Sequence, residues 1–266
     1  MYPLKLATYN IHKGVQGLGP LRRLEIHNQR TGLDTVGADV VCLQEVRAFN
    51  HRLATRLPQW PTTDHGQTLA GEAYQCVYKS NAVTRFGEHG NAVLSKWPVS
   101  LVGHYDVSDH RLEQRGLLHV CVDTPAGPLH VINVHLGLIA ASRRRQVQHL
   151  LNLVNAHVPA DMPLVVAGDF NDWAQQLHTP LSHAQLVTVQ GPALKTFPSR
   201  LPALSMDRIY GRGVQLLSAT VPRGQPWYRW SDHLPLVMDM QMQRQMQMPL
   251  PLPSQVQTTV HRKCGL

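Results

Sequence analysis

The sequence predicts a mixed domain of strands and helices, α/β or α+β, on three observations. Several short apolar runs stop abruptly at a polar residue able to bind a metal or a phosphate; three strand-like segments between 101 and 134 are joined as an antiparallel run; and 140–158 carries apolar residues at helical spacing. At 266 residues and 43% hydrophobic content the chain can bury a sizeable core. No long spacer divides it, so one domain is expected over 1–240, followed by a Gln-, Met- and Pro-rich tail, 241–266, whose lack of periodicity predicts disorder.

Taken in order, Leu4 to Tyr9 is an alternating strand that ends in Asn10, with His12 two residues on. His12 to Pro20 is a Gly-rich loop, and Leu21 to Val36 has helical spacing. Asp39 to Val46 is a second strand whose end supplies Gln44 and Glu45. A short helix over 47–57 and a polar loop over 58–73 precede strands at Tyr74–Tyr78 and Ala92–Ser95, with Gly90-Asn91 just before the second. Leu101–Val107, Leu117–Val122 and Leu129–Val134 form the antiparallel run, turned at 125–128 by Pro-Ala-Gly-Pro and ending in His135.

Ala140 to Val158 is the clearest helix, with Val147, Leu150, Leu151 and Val154 on one face and Ser142 as its expected N-cap. Arg143, Arg144 and Arg145 crowd its first turn against the helix dipole. A phosphate contact explains that placement, and so does simple solvent exposure. Leu164 to Ala167 is a buried strand bounded by Pro163 and Gly168. Asp169 and Asn171 follow two residues apart, a carboxylate beside an amide, which suits a hard cation, an activated water or a phosphate oxygen; Gly-Asp-x-Asn is equally good turn chemistry.

Asn10, Gln44-Glu45, His135 and Asp169 thus each close an apolar run, and in a layered sheet such ends gather at one edge. A further element is written in reverse: Asp232-His233 comes first and the run Leu234–Met240 follows, as an antiparallel neighbour would. Before it, RGQPWYRW at 223–230 interleaves Arg223 and Arg229 with Trp227, Tyr228 and Trp230. This loop fits a stack on bases, a rest on lipid headgroups, or an amphipathic cover over the core.

Net charge is +8 with a pI near 9.6, which favours polyanionic partners; Arg244, Arg262 and Lys263 fall in the acid-free tail and leave +5 on the body. Cys42, Cys76, Cys121 and Cys264 have no paired spacing, which argues against a zinc site or a disulfide framework. No apolar leader precedes the first strand and no run reaches membrane-spanning length, so a soluble, cytoplasmic monomer is expected.

TYNIHKG at 8–14, LQEV at 43–46, GNAVLSKWP at 90–98, NVHLGL at 133–138, GDFNDW at 168–173, SMDRIYGRG at 205–213 and SDHLPL at 231–236 together resemble the endonuclease/exonuclease/phosphatase superfamily, in its order, across roughly 4–240. The resemblance implies a four-layer α/β sandwich: two packed mixed β-sheets flanked by helices. It implies hydrolysis of a phosphate ester, with Glu45 as main metal ligand, Asn10 beside it and Asp232 as a further ligand. Asp169 would position or deprotonate the water, Asn171 and His135 would hold phosphate oxygens, and His233, oriented by Asp207, would act as acid/base or charge donor. Oxygen ligands without a thiolate fit Mg2+, with Mn2+ as substitute.

Asn91, Arg143, Phe197, Trp227 and Arg229 are the candidate substrate contacts. AP endonucleases of the superfamily carry Tyr-Pro-Asn where this chain has His135-Leu136-Gly137, which disfavours that branch. The His is shared by the deoxyribonuclease, sphingomyelinase and inositol-phosphatase branches. Charge and the aromatic loop favour a nuclease acting on DNA or RNA. A phospholipid or sphingolipid phosphodiesterase, or a small-phosphoester phosphatase, is the alternative. A non-catalytic nucleic-acid module is the third reading, and the intact set of polar residues argues against it.

Overall fold

The computed structural model describes residues 1–111 and 113–244. Strand β1 is Tyr2–Asn10. Beyond it His12 and Lys13 take left-handed φ of 48° and 59°, and the expected Gly-rich loop holds two 3-10 turns, His12–Gly14 and Gly19–Leu21, and a ribbon of β2 (Val15–Gln16) and β3 (Arg23–Leu24). Helix α1 is therefore shorter than the expected 21–36 and spans Ile26–Val36; left-handed Gly37 closes it by donating to Leu33 O.

Strand β4 (Val40–Asn50) runs past the expected end at Val46, because its pairing shifts register between Leu43 and Val46 and then continues. The expected helix over 47–57 shrinks to α2 (His51–Ala54), capped by the Asn50 side chain. The expected polar loop holds α3 (His65–Ala70), capped by Asp64, which accepts from Gln67 N. A hairpin of β5 (Gln75–Thr84) and β6 (Gly87–Ser95) follows, longer than its apolar cores because the flanking polar residues also pair.

The antiparallel run is present as β7 (Val99–Asp106), β8 (Gly116–Thr124) and β9 (Gly127–His135). Helix α4 is Ala140–His157, but Ser142 is not its cap: Ile139 holds that position, and Ser142 Oγ donates to Asp109 Oδ2 at 2.6 Å. Then come β10 (Leu164–Asp169), α5 (His178–His183), β11 (Asp207–Arg212), β12 (Gln215–Thr220), α6 (Trp227–Trp230) and β13 (Leu236–Met242). The last strand ends two residues beyond the expected boundary at 240. The expected disorder from 245 onward, and Cys264, lie outside the described residues.

The strands form one sheet in the order β12-β13-β1-β4-β6-β5 and a second in the order β11-β10-β9-β8-β7. β1–β4 and β9–β10 are parallel and the other pairs antiparallel, so both sheets are mixed. Leu6, Val40, Cys42 and Val93 of the first sheet meet Leu118, Val120, Val131 and Val165 of the second in a shared core. On the outer faces, Ile26, Leu33 and Leu69 pack over Val41, Leu43 and Leu94, and Val147, Leu150, Val154 and Leu181 pack over Ile132, Val134, Leu164 and Val166. Helix, sheet, sheet and helix make the expected four layers. Burial on both sides explains why β10 is an unbroken apolar run. Cys42, Cys76 and Cys121 are free thiols, and no helix among the described residues is long and apolar enough to cross a membrane.

Candidate active site

Parallel pairing sets Asn10 beside Gln44 and Asp169 beside His135, while antiparallel β11 sets Asp207 opposite Asp169. β13 runs antiparallel to β1, so the Asp232-His233 that precedes it reaches the same edge. Six segments remote in sequence thus end together.

Asp169, 1% exposed, is the hub. Its Oδ2 accepts from Asn10 Nδ2 at 3.1 Å and lies 3.6 Å from His135 Nε2 and 3.7 Å from His233 Nε2; its Oδ1 accepts from Asn171 N at 2.9 Å. Gly168 is required for this placement, since at φ 151° a Cβ there would sit 1.9 Å from Val134 O. Asn171 is itself left-handed and donates through Nδ2 to Leu136 O at 2.9 Å, which ties the β10 exit to the β9 exit.

His233 Nδ1 donates to Asp207 Oδ2 at 2.9 Å, and Thr196 Oγ1 donates to the same oxygen at 2.5 Å. Phe197 packs its ring on His233, centroids 4.9 Å apart. Burial alone would lower the His233 pKa, but the charges of Asp207 and Asp169 outweigh it and lift it to about 10. Burial raises Asp169 to about 6, with Asp207 adding to the rise and His233 and Asn10 opposing it. His135 is held well below its ordinary value, by burial first and by Arg115 and His233 next. The edge thus carries a cationic imidazole and a neutral one on either side of one carboxylate.

Beside this group lie two more carboxylates, each faced by a basic side chain: Lys13 Nζ is 3.2 Å from Glu45 Oε2, and His12 Nδ1 is 3.1 Å from Asp232 Oδ2. Glu45 is left-handed (φ 56°), and the only side chain that pairs with its carboxylate among the described residues is Lys13. Asn10 Oδ1 accepts only the His12 amide, at 3.1 Å. Oxygen donors from Glu45, Asn10 and Asp232, with one or two full charges among them, fit a hard dication. Among the described residues Asp169, Asp207 and His233 also bring ligand atoms within 4.8 Å of one another. In that trio the cationic His233 is itself one of the three groups, whereas Glu45, Asn10 and Asp232 offer oxygen atoms alone, so the Glu45 side suits a hard cation better.

Left-handed backbone is concentrated here: of seven such non-glycine residues among those described, His12, Lys13, Glu45 and Asn171 belong to this edge. Such conformers cost about 1–3 kcal/mol each and persist where the surroundings impose them.

The candidate substrate contacts separate. Phe197 is half-buried against His233, and Arg229 is exposed. Asn91 is fully buried and donates to Gly116 O at 3.0 Å across the two sheets. Arg143, which exposure would have left free, is 2% exposed; its Nη1 donates to Gly137 O and Leu138 O, and its guanidinium lies 4.7 Å from the Trp173 ring. Trp227 points inward, edge-on to Tyr9 at 6.3 Å and to Trp230 at 5.1 Å, over the space left by Gly32. Trp227 and Trp230 therefore cover α1, while Arg229 stays exposed. Sequence reasoning missed the placement of His12, Lys13 and Thr196; the first two stand inside TYNIHKG, where two basic residues just after a strand-end Asn were a readable signal.

Comparison with known proteins places these features in a lineage. The chain is 39% identical over 246 residues to the Escherichia coli protein YbhP, covering 88% of this chain and 95% of the relative. Its fold matches an endonuclease/exonuclease/phosphatase from Bacteroides vulgatus (TM-score 0.68, 17% identity, 91% of this chain and 100% of that one). It also matches D. rerio TDP2 solved with a single-strand DNA product (TM-score 0.62, 16% identity, 90% and 99%). The model of the Endonuclease/Exonuclease/phosphatase family matches residues 7–233, which take in every strand end described above, and the chain belongs to that family of phosphoester hydrolases.

Proposed function

We propose that the protein is a divalent-metal-dependent phosphodiesterase that cleaves nucleic acid, with Mg2+ as the ion and Mn2+ as a substitute. The observation that carries this reading is the convergence of Asn10, His135 and His233 on the single carboxylate oxygen Oδ2 of Asp169, beside the paired carboxylates Glu45 and Asp232. Glu45, Asn10 and Asp232 would hold the ion, which supplies Lewis-acid stabilisation of phosphoryl oxygens.

The chain's own groups do the rest. Asp169, fixed by Asn10 and the Asn171 amide, orients a water and accepts its proton. His233, locked by Asp207 and Thr196, presents Nε2 as a donor to the phosphate or leaving oxygen, and His135 donates from the opposite side. Asn171 steadies a phosphate oxygen.

Nucleic acid is favoured by the basic balance of the body and by the fold shared with a protein solved on a DNA product. A lipid phosphodiesterase is the second reading, favoured by Leu18, Leu21 and Leu201, which are 82%, 75% and 78% exposed in loops at the site end. One panel tests both: supercoiled plasmid, single-stranded DNA, RNA, phosphatidylglycerol and sphingomyelin vesicles, and bis-p-nitrophenyl phosphate, with Mg2+ or EDTA, beside His233→Ala. Metal-dependent nicking lost in the variant supports the nuclease; turnover confined to vesicles transfers the same residues to lipid; no turnover on any substrate overturns the enzyme.

A further inference from the structure

A cavity of about 320 Å3 opens beside the Glu45 edge and is lined by His12, Lys13, Arg22, Arg47 and Arg52, with Phe86 at its rim. Among the described residues no acid lines it. Glu45 and Asp232 already face Lys13 and His12, but among the described residues Arg22, Arg47 and Arg52 have no carboxylate within 4 Å, and three guanidinium groups around one small space repel one another unless an anion joins them. Arg47 makes the point most sharply: it is 8% exposed and feels the charge of Glu45, yet among the described residues it forms no ion pair within 4 Å and its buried Nη1 has no hydrogen-bond acceptor. A guanidinium that deep and that unsatisfied is built for a partner that carries charge and oxygen acceptors.

The cavity is continuous with the active edge through two residues. Lys13 lines it and also reaches Glu45 at 3.2 Å; His12 lines it and also reaches Asp232 at 3.1 Å. An anion held here is therefore a near neighbour of whatever the edge hydrolyses. At the rim Phe86 is 40% exposed, with the Arg52 and Arg85 guanidinium carbons 5.3 Å and 5.6 Å from its ring centroid. That arrangement offers an aromatic face and two cations to a flat, phosphate-linked group.

We infer that the Arg22–Arg47–Arg52 cavity is a second phosphate subsite, which takes the phosphate next to the scissile one on a polynucleotide. The inference rests on the phosphodiesterase reading above and narrows its substrate to one with at least two consecutive phosphates. A simple diester fills the hydrolytic edge and leaves this subsite unused.

The test compares thymidylyl-thymidine, the same dinucleotide carrying a 5′- or 3′-terminal phosphate, and bis-p-nitrophenyl phosphate. In the unaltered protein one terminal phosphate should raise kcat/KM about tenfold over the bare dinucleotide. The exposed pair Arg22→Gln/Arg52→Gln, which leaves the core intact, should abolish that advantage, as should Arg47→Gln, while bis-p-nitrophenyl phosphate turnover stays within about twofold. Each lost contact should also reduce the salt slope on single-stranded DNA by about one. Retention of the advantage in the variants, or an equal fall on all substrates, overturns the subsite. An equal gain for cardiolipin vesicles over phosphatidylcholine, with none for the dinucleotides, assigns the second phosphate to a lipid and overturns the nucleic-acid form.

If the unaltered protein turns over no diester, the activity reading fails separately, and calorimetry with inorganic phosphate still decides the cavity. Binding weakened about tenfold by Arg22→Gln/Arg52→Gln supports it; absence of binding, or binding unchanged in the variant, overturns it.

Discussion

Gln44 Nε2 donates to Asn133 Oδ1 at 2.8 Å across the gap between the two sheets, and neither residue has any exposed surface. Asn133 Nδ2 in turn donates to Leu43 O and Ala92 O, each at 2.8 Å. This amide pair pins β4, β6 and β9 at the end where Glu45 and His135 emerge. Asn133→Leu takes the amide donor from the buried Leu43 O and Ala92 O and leaves Gln44 Nε2 only Thr8 Oγ1 and Cys42 O, so we expect a loss of about 2–4 kcal/mol in urea unfolding.

His233 and Asp207 should behave as a unit. His233→Ala is expected to lower turnover by roughly 10²–10⁴, and Asp207→Asn by less, with the double variant no worse than His233→Ala alone. Steady-state kinetics with circular dichroism as a folding control checks this. A loss under about tenfold in a folded His233→Ala protein removes the histidine from the chemistry.

Glu45→Gln should act on the metal before it acts on the chemistry. The Mg2+ concentration for half-maximal rate should rise by about 10–100-fold, and direct calorimetric titration of Mn2+ should weaken in parallel. An unchanged titration removes Glu45 from the ligand set.

Stability should fall on mild acidification for a reason remote from the active edge. His119 and His130 sit 2.9 Å apart, Nε2 to Nδ1, and burial lowers His119 from 6.5 to about 4, with the His130 charge adding to it. The unfolded chain takes up its proton near pH 6.5 and the folded chain only near pH 4, so stability is complete above 6.5 and declines between the two values. The slope is about 1.4 kcal/mol per pH unit for this histidine. Buried His65, lowered to about 3 by burial and then by Arg47, adds to the same decline. Chemical denaturation at several pH values tests it, and His119→Gln should flatten the curve.

Gly168→Ala places a methyl against Val134 O, 1.9 Å away before relaxation, at a positive φ. We expect a loss of about 3 kcal/mol or more, and a displaced Asp169 should reduce turnover even at temperatures where the variant stays folded.

The residues that converge on the site were legible because each marks where apolar periodicity stops: Asn10, Gln44, His135 and Asp169 close strands, and Asp232-His233 opens one. Local pattern fixes such ends without knowledge of the partner strand. It does not fix what depends on long-range company. Arg143 looks like a solvated cation until the carbonyls of Gly137 and Leu138 fold back on it. Trp227 follows one pattern whether the turn covers α1 or meets a ligand, and the space at Gly32 decides where its ring goes. α3 was lost because six residues containing Gly66 carry too little periodicity to stand out from a loop. The Lys13–Glu45 pair depended on two left-handed residues that no propensity favours.

The pairing of β1 with β13, Tyr2 opposite Met242 through Thr8 opposite Leu236, has a consequence for the timing of synthesis. Asn10 leaves the ribosome more than two hundred residues before the Ser231 that donates to its carbonyl at 2.7 Å and before the adjacent Asp232-His233. At about 5–20 residues per second the first strand waits some ten seconds or longer for its neighbour, and the central edge of the sheet stays open throughout. The six segments of the candidate site therefore come together only after β13 has emerged, however early the first of them is made.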